Sequence, residues 1–419
     1  MISINNDKGT GRIKVEPEDF IVEEIEKNGI VLEKDHIYEN LDNEENNNIE
    51  VKKDFNIFVL QKENWNTTQA LIKIAKLFRR GKKSVGFAGT KDRRAISTQL
   101  CSIYKVDPSE LLKLHIKDIK INGAWLSNKQ VRMGDLLGNR FIVKIKDLDS
   151  YEKIEKTNKL LNGRFPNYYG DQRFGMHGDN VEIGLDMLHN NFEDAAIKFL
   201  TDTKNEKNDD AIAARERLLN ELDFKTAIDY FPKYLKYERM VIDYLSKYPD
   251  NYANALRKLP RSLVLMFVHS VDSYIYNKEL EERIKNNLIE PTDEDLVCNS
   301  DKFGFPDLSN ISNYNDRYSS GNDINNQFVV GNIVGYNTKD LTSFEKKILL
   351  DLELTTDDFK MSNMPELSCN GNYRVFFAPY NNFYSEFNSE ENSAILKFSL
   401  FTGSYATVLL NEFLDYEEV

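Results

Sequence analysis

Asp92 stands inside a run of cations. Between Lys76 and Arg94 the chain carries Lys76, Arg79, Arg80, Lys82, Lys83, Lys91, Arg93 and Arg94 against this single acid. Nearby positive charge lowers a carboxylate pKa, so Asp92 should stay ionised and available as a nucleophile or a base. The glycines of Gly86-Phe87-Ala88-Gly89-Thr90-Lys91-Asp92 would let a nucleic-acid backbone come close. On charge alone, the same cluster also reads as a solvated helix end followed by a loop, and Asp92-Arg93-Arg94 as a surface ion pair. The run needs support from elsewhere in the chain.

Other chemistries fail on their patterns. A phosphate-binding loop would need Lys-Ser or Lys-Thr after its last glycine; Phe87 follows Gly86, and no hydroxyl follows Lys91 in Gly89-Thr90-Lys91-Asp92. Cys101, Cys298 and Cys369 form no Cys-x-x-Cys pair, and no two of His36, His115, His177, His189 and His269 stand four residues apart. Structural thiols and no metal are therefore expected. The net charge of −13 speaks against a nucleic-acid partner if taken as a total, so any such partner must be met by the local basic patch.

The elements that must position Asp92 can be read around it. Thr67 or Thr68 can cap a helix whose Leu71, Ile74, Ala75 and Phe78 recur at helical spacing, with Arg79 and Arg80 at its end and Gly81 after it, so that its basic end points at the motif. A short buried segment, Ser84 to Ala88, leads into the turn that carries Asp92, and Ala95 to Ile103 reads as a strand. Further strands are expected at Phe20 to Ile25, at Phe55 to Leu60, and from Phe141, where Phe141, Val143 and Ile145 share one face and Lys144 and Lys146 the other. The Glu/Asn-rich insert from Glu39 to Glu50 reads as a surface loop. From about Phe165 helical segments alternate with polar stretches, among them Thr201 to Asp210 and Asn299 to Asn326, both read as loops. The tail returns to a strand at Ala394 to Leu400, then a helix from Tyr405 with Ser404 as its cap. With 419 residues two domains are expected. No run approaches the ~18 apolar residues of a membrane span, and Met1 to Lys8 lacks the features of a signal peptide, so a cytoplasmic protein is expected.

Five ordered segments resemble the TruD family of pseudouridine synthases. They are Lys14 to Glu24, Gly89 to Gln99, Gly138-Asn139-Arg140-Phe141, Asn167-Tyr168-Tyr169-Gly170-Asp171-Gln172-Arg173-Phe174-Gly175, and Gly403-Ser404-Tyr405-Ala406-Thr407. A looser likeness to the longer, archaeal form of the family runs through Phe267 to Asn277 and Pro365 to Ser368. The resemblance implies an α+β pseudouridine synthase fold with a mixed, largely antiparallel sheet. Residues 1–165 and 371–419 would form the catalytic domain, and 166–370 an inserted α/β TRUD domain, with RNA between them. It implies a uridine in tRNA as substrate, usually uridine 13 of the D arm, and no cofactor. Residue by residue it makes Asp92 the catalytic aspartate, Asn139 a hydrogen-bond partner that orients it, Lys14 and Lys91 cations near the active site, and Phe141 the platform for an extruded base, although strand alternation alone places Phe141 in the core. Arg79, Arg80, Lys82 and Lys83, with Arg93 and Arg94, are expected to contact RNA phosphates. A monomer is expected. The rival readings are an RNA-binding protein of this fold without catalysis, and a glycosylase that would release free uracil.

Overall fold

The computed structural model describes residues 1–41, 54–175, 178–319 and 327–418. The Glu39 to Glu50 insert lies, beyond Leu41, outside them, as do His177 and residues 320–326. In chain order, the first part contains β1 (Gly9–Ile13), β2 (Phe20–Ile25), β3 (Phe55–Glu63), α1 (Thr67–Leu77), β4 (Val85–Phe87), β5 (Ile96–Tyr104), β6 (Ile119–Ser127), β7 (Gly138–Lys146) and α2 (Tyr151–Leu161). There follow α3 (Asn180–Leu188), α4 (Phe192–Thr201), α5 (Asp209–Glu221), α6 (Phe224–Tyr230), α7 (Lys236–Lys247), α8 (Arg261–Lys285), β8 (Leu296–Ser300), β9 (Pro306–Asn313), β10 (Gln327–Ile333), α9 (Ser343–Asp351) and β11 (Asn372–Val375). The chain ends with β12 (Asn381–Asn388), β13 (Ser393–Phe401), α10 (Ala406–Phe413) and β14 (Leu414–Glu418). Contacts divide the chain into two compact units. One comprises Ser3–Phe165, Lys302–Phe305 and Ala378–Val419; the other comprises Met1–Ile2, Pro166–Asp301 and Pro306–Phe377.

The first unit is built on a mixed sheet in the order β12-β13-β7-β2-β5-β3-β6, with β4 beside β5 and β1 bridging β7 and β14. Only β2–β5 and β1–β14 run parallel. The alternation read at Phe141, Val143 and Ile145 holds: all three are buried on one face. Register puts Lys62 beside Ser97, Ser97 beside Val22, Val22 beside Phe141 and Phe141 beside Phe398, so one row of this face crosses five strands. The next row sets Glu24 beside Asn139 and Asn139 beside Leu400. Amphipathic α1 covers one side of that face, packing Ala70, Leu71, Ile74 and Ala75 onto Phe58, Leu60, Cys101 and Ile103. Leu71 and Ile74 are fully buried, each contributing about 1.5–3 kcal/mol.

Three local expectations are corrected. The cap of α1 is Asn66, whose side chain accepts from the Thr68 amide, and the helix stops at Leu77 with Arg79, not Gly81, in the left-handed region (φ 54°). The cap of α10 is Tyr405, and the Ser404 hydroxyl caps nothing. The polar stretch after Asn299 is not all loop: residues 306–313 form β9, paired with β8, and a short helix follows at Tyr314–Ser319. Hydrophobic periodicity could not show that strand, because Pro306 to Asn313 is largely polar and only half-buried.

The second unit gathers α3 to α9 around a single apolar core that includes Ile183, Leu218, Ile242, Phe267 and Phe359. Its antiparallel sheet has the order β9-β8-β10-β11. The 25-residue α8 buries one residue in two along its length, and Gly184 of α3 lets it approach closely, since a Cβ there would stand 2.2 Å from the Phe267 carbonyl oxygen.

Candidate active site

The loop between β4 and β5 carries Asp92, and its main chain is held at several points. The Ala88 carbonyl accepts from the Gly134 amide (2.8 Å) and the Gly89 carbonyl from Gln99 Nε2 (3.0 Å). The Lys91 amide donates to Thr67 Oγ1 (3.0 Å), and that hydroxyl donates to Gln99 Oε1 (2.9 Å). Lys62 Nζ donates to the carbonyl oxygens of Asp92 (2.9 Å) and Lys91 (3.4 Å). On such a frame the Asp92 backbone is fixed while its side chain stands exposed to solvent, not buried as a flipped base would be. A carboxylate presented this way can meet a large substrate brought to it from outside.

Lys91 points the opposite way. Its side chain is 3 % exposed and its ammonium reaches Glu24 Oε2 (2.7 Å) and Asn139 Oδ1 (2.6 Å). Glu24, fully buried, also accepts from the Leu100 amide (2.9 Å). Burial pushes its carboxyl up, and Lys91 pulls it back toward the ionised form. Segments 14–24, 89–99 and 138–141, far apart in sequence, thus converge on one ammonium. Segment 403–407 is tethered to the same place: Thr402 donates its amide to the Leu137 carbonyl (3.1 Å), one residue before Gly138.

The geometry changes several expected roles. Asn139 holds Lys91, and no hydrogen bond joins it to Asp92 among the described residues. Lys91 neutralises Glu24, and the cation hydrogen-bonded to the Asp92 main chain is Lys62, which sequence reading missed. Lys62 is fully buried with only carbonyl oxygens as partners, and its pKa is pushed down to about 8, chiefly by burial, with Asp92 opposing the fall. Phe141 is buried, stacked on Phe398 (5.5 Å between centroids) and edge-on to Phe20 (6.1 Å). Lys14, in the left-handed region, sets its ammonium over the Phe20 ring (4.7 Å). Phe141 and Lys14 therefore join through Phe20.

The basic residues separate. Arg93 and Arg94 are exposed beside Asp92, Arg93 donating to the Asn64 carbonyl (3.3 Å). Arg79, Arg80, Lys82 and Lys83 are also exposed but lie at the far end of α1. It is the helix start, Thr67, that touches the Asp92 loop, so the expected direction is reversed. Eleven residues of helix put the basic end roughly 16 Å away. Two glycines serve packing, since a Cβ on Gly86 would meet the Val131 carbonyl oxygen at 2.2 Å and one on Gly138 the Leu400 carbonyl oxygen at 2.1 Å, whereas one on Gly89 would meet nothing nearer than 3.8 Å.

The sheet unit thus presents an exposed carboxylate on a loop held from β3, α1 and β5. Comparison with known proteins places this arrangement in a family. The family model described as tRNA pseudouridine synthase D (TruD) matches residues 3–413. A probable tRNA pseudouridine synthase D of Methanosarcina acetivorans is 32 % identical over 441 residues, covering 100 % of this chain and 95 % of the relative. One from Thermococcus sibiricus is 32 % identical over 98 % of this chain and 96 % of its own. The crystal structure of the putative tRNA pseudouridine synthase D from Methanosarcina mazei superimposes with a TM-score of 0.77 at 30 % identity, over 99 % of this chain and 95 % of that one. The chain belongs to the TruD family, a family of isomerases with the α+β pseudouridine synthase fold. No helix among the described residues is long and apolar enough to cross a membrane.

Proposed function

We propose that this protein isomerises a uridine of tRNA to pseudouridine with Asp92 as the catalytic carboxylate, and that uridine 13 in the D arm is the target. The supporting observation is the contrast on one loop: Asp92 is exposed while Lys91 is locked into Glu24 and Asn139. A buried, paired lysine costs desolvation that a surface turn would not incur. That cost is explained if the loop must hold a reacting group still.

The reaction breaks the bond from uracil N1 to ribose C1′ and forms one from C5 to C1′, with the C5 hydrogen leaving as a proton and N1 taking a proton from solvent. No oxidation or reduction occurs. Attack of Asp92 on C1′ and removal of the 2′ proton both require the carboxylate in its ionised form close to the sugar. Phe141, packed against Phe398 and Phe20, is the platform for the extruded base once tRNA binding uncovers its ring, and Lys14 lies beside it over Phe20. Lys62 acts as a positioning residue, its charge tying the two carbonyls that flank the reacting side chain. Arg93 and Arg94 meet phosphates next to the target, and Arg79, Arg80, Lys82 and Lys83 meet phosphates further along the tRNA. This confines an electrostatic contact to one face of a chain with net charge −13. Residues 166–370 serve as an inserted RNA-binding domain.

The test incubates the protein with a tRNA transcript carrying tritium at C5 of uridine. Tritium release from an intact strand, abolished in Asp92→Ala, is expected, with the product mapped to position 13. No release by the wild type, or equal release by Asp92→Ala, overturns the assignment. Free uracil in the supernatant would make the protein a glycosylase instead.

A further inference from the structure

His269 and Asp272 stand one turn apart on α8, and Cys369 comes to the same place from a segment one hundred positions later. His269 Nδ1 lies 2.8 Å from Asp272 Oδ2 and 3.6 Å from Cys369 Sγ. The three ligand atoms all fall within 4.8 Å of one another. Ligands at ordinary Zn–N, Zn–O and Zn–S lengths around a tetrahedral ion stand roughly 3.2–3.6 Å apart, so these separations approach the edges of such a site.

Hydrogen bonding accounts for only part of this arrangement. Nδ1 carries at most one proton, and Asp272 takes it at 2.8 Å. Cys369 Sγ is left with two long contacts, to Nδ1 and to the Leu367 carbonyl, both 3.6 Å. Yet its backbone is pinned on both sides, the amide to the Phe359 carbonyl (3.0 Å) and the carbonyl to the Tyr336 amide (2.9 Å). Behind Asp272 stands Ser273 Oγ, which receives Arg173 Nε (3.0 Å) and whose single proton can go to the His269 carbonyl (2.7 Å) or to Asp272 Oδ1 (3.0 Å), an outer contact of the kind metal ligands carry. Asp272 and Cys369 are buried, whereas the His269 side chain is 38 % exposed, which opens one side to solvent.

We propose that His269, Asp272 and Cys369 bind a zinc-class transition-metal ion with a fourth position open to water. The mixed nitrogen, oxygen and sulfur set selects Zn2+ or Co2+ over Mg2+ and Ca2+, which take oxygen ligands. Binding requires the thiol to lose its proton and Nδ1 to be bare, its proton moving to Nε2 in a neutral ring or leaving from an imidazolium. The ion would brace α8 against the chain from Phe359 to Cys369. Asp92 and its partners belong to the other unit.

The test titrates the full-length, chelator-treated protein with Co2+ alone, then with Zn2+. A stoichiometric thiolate-to-cobalt charge-transfer absorption, bleached by Zn2+, is expected. It should vanish in Cys369→Ser and fall in affinity at least about tenfold in His269→Gln. No such absorption at excess Co2+, or one that persists in Cys369→Ser, overturns the proposal, the latter by assigning it to Cys101 or Cys298. If Cys369→Ser does not fold, His269→Gln decides alone, because its side chain is partly exposed and all three thiols remain. An unchanged Co2+ affinity there also overturns the proposal.

Discussion

Each unit buries charge, but the charges do different things. In the sheet unit, Lys91 and Lys62 direct their ammonium groups at a loop: Lys91 ties it to Glu24 and Asn139, and Lys62 holds two of its carbonyls. In the helical unit, buried charge closes on itself. Arg283 grips Asp295 with two bonds (2.7 and 2.9 Å), both side chains 2 % exposed. Glu279 and Glu345 face each other with one partnered oxygen apiece: Glu279 accepts from Thr342 Oγ1 (2.8 Å), Glu345 from Asn332 Nδ2 and the Thr342 amide (both 2.9 Å). Neither Oε2 of Glu279 nor Oε1 of Glu345 has another donor among the described residues. Burial raises both carboxyls, and the neighbouring Glu345 raises Glu279 further. Of the two units, only the sheet unit has buried charge that supports an exposed group, the carboxylate proposed to react.

The comparison can be broken most directly at its two ion pairs. Lys91→Met and Arg283→Met each leave a buried acid unpaired, and each should cost about 3–5 kcal/mol in denaturant unfolding. Only Lys91→Met should also remove tritium release when assayed under conditions where both variants are folded. Equal residual activity in the two would erase the distinction.

Lys62→Met should lower kcat roughly 10–100-fold with little change in KM, because it loosens the reacting loop without touching tRNA. Its effect on stability should be smaller. Holding the ammonium buried with a pKa near 8 rather than 10.5 costs on the order of 3 kcal/mol, a penalty that Met removes while orphaning two carbonyls. The pH dependence has a definite sign. Below about 8 both folded and unfolded chains carry the proton and the penalty is constant. Between about 8 and 10.5 only the unfolded chain does, so this contribution to stability rises with pH while kcat falls with loss of the charge. A kcat profile flat from pH 7 to 9.5 would remove Lys62 from the mechanism.

Glu279→Gln should do the reverse of an ion-pair deletion. The amide can accept from Thr342 and donate to Glu345, so stability at pH 7 should rise by about 1–2 kcal/mol. In the wild type the folded pair holds protons above the ordinary carboxyl range. Its contribution is present below about pH 4.5 and is lost as pH rises through the raised values. Urea melts of the two proteins at pH 5 and 8 would show the gap widening with pH.

The smallest effect is expected at the surface. Lys82→Ala with Lys83→Ala should leave kcat intact and reduce the slope of log tRNA affinity against log salt by about 1–2. An unchanged slope would remove this end of α1 from the RNA contact.

Much of the sheet unit was legible in sequence. The alternation at Phe141 to Lys146 assigned a strand and its faces, and the Ser84 to Ile103 pattern placed Asp92 on a turn. What stayed hidden depended on register. Lys62 sits in Gln61-Lys62-Glu63, which reads as a frayed polar strand end, and only the pairing of Lys62 with Ser97 turns it inward beneath the loop. Glu24 lies near the end of β2 beside Glu23 and gives no sign that its partner lies sixty-seven positions on. The direction of α1 was misjudged because helical periodicity fixes a face and says nothing of which end meets a neighbour.

The pairing of β7 with β13 bears on how the molecule is made. Lys144 and Glu391, joined by an ion pair at the end of that ladder, are 247 positions apart. During synthesis at about 5–20 residues per second, the strand carrying Asn139 and Phe141 must wait on the order of ten seconds or more for the strand carrying Phe398 and Leu400. In that interval the apolar face beneath Asp92 lacks its neighbour. The helical unit, whose contacts close within the intervening segment, can fold first and keep the two strands from searching as a free chain.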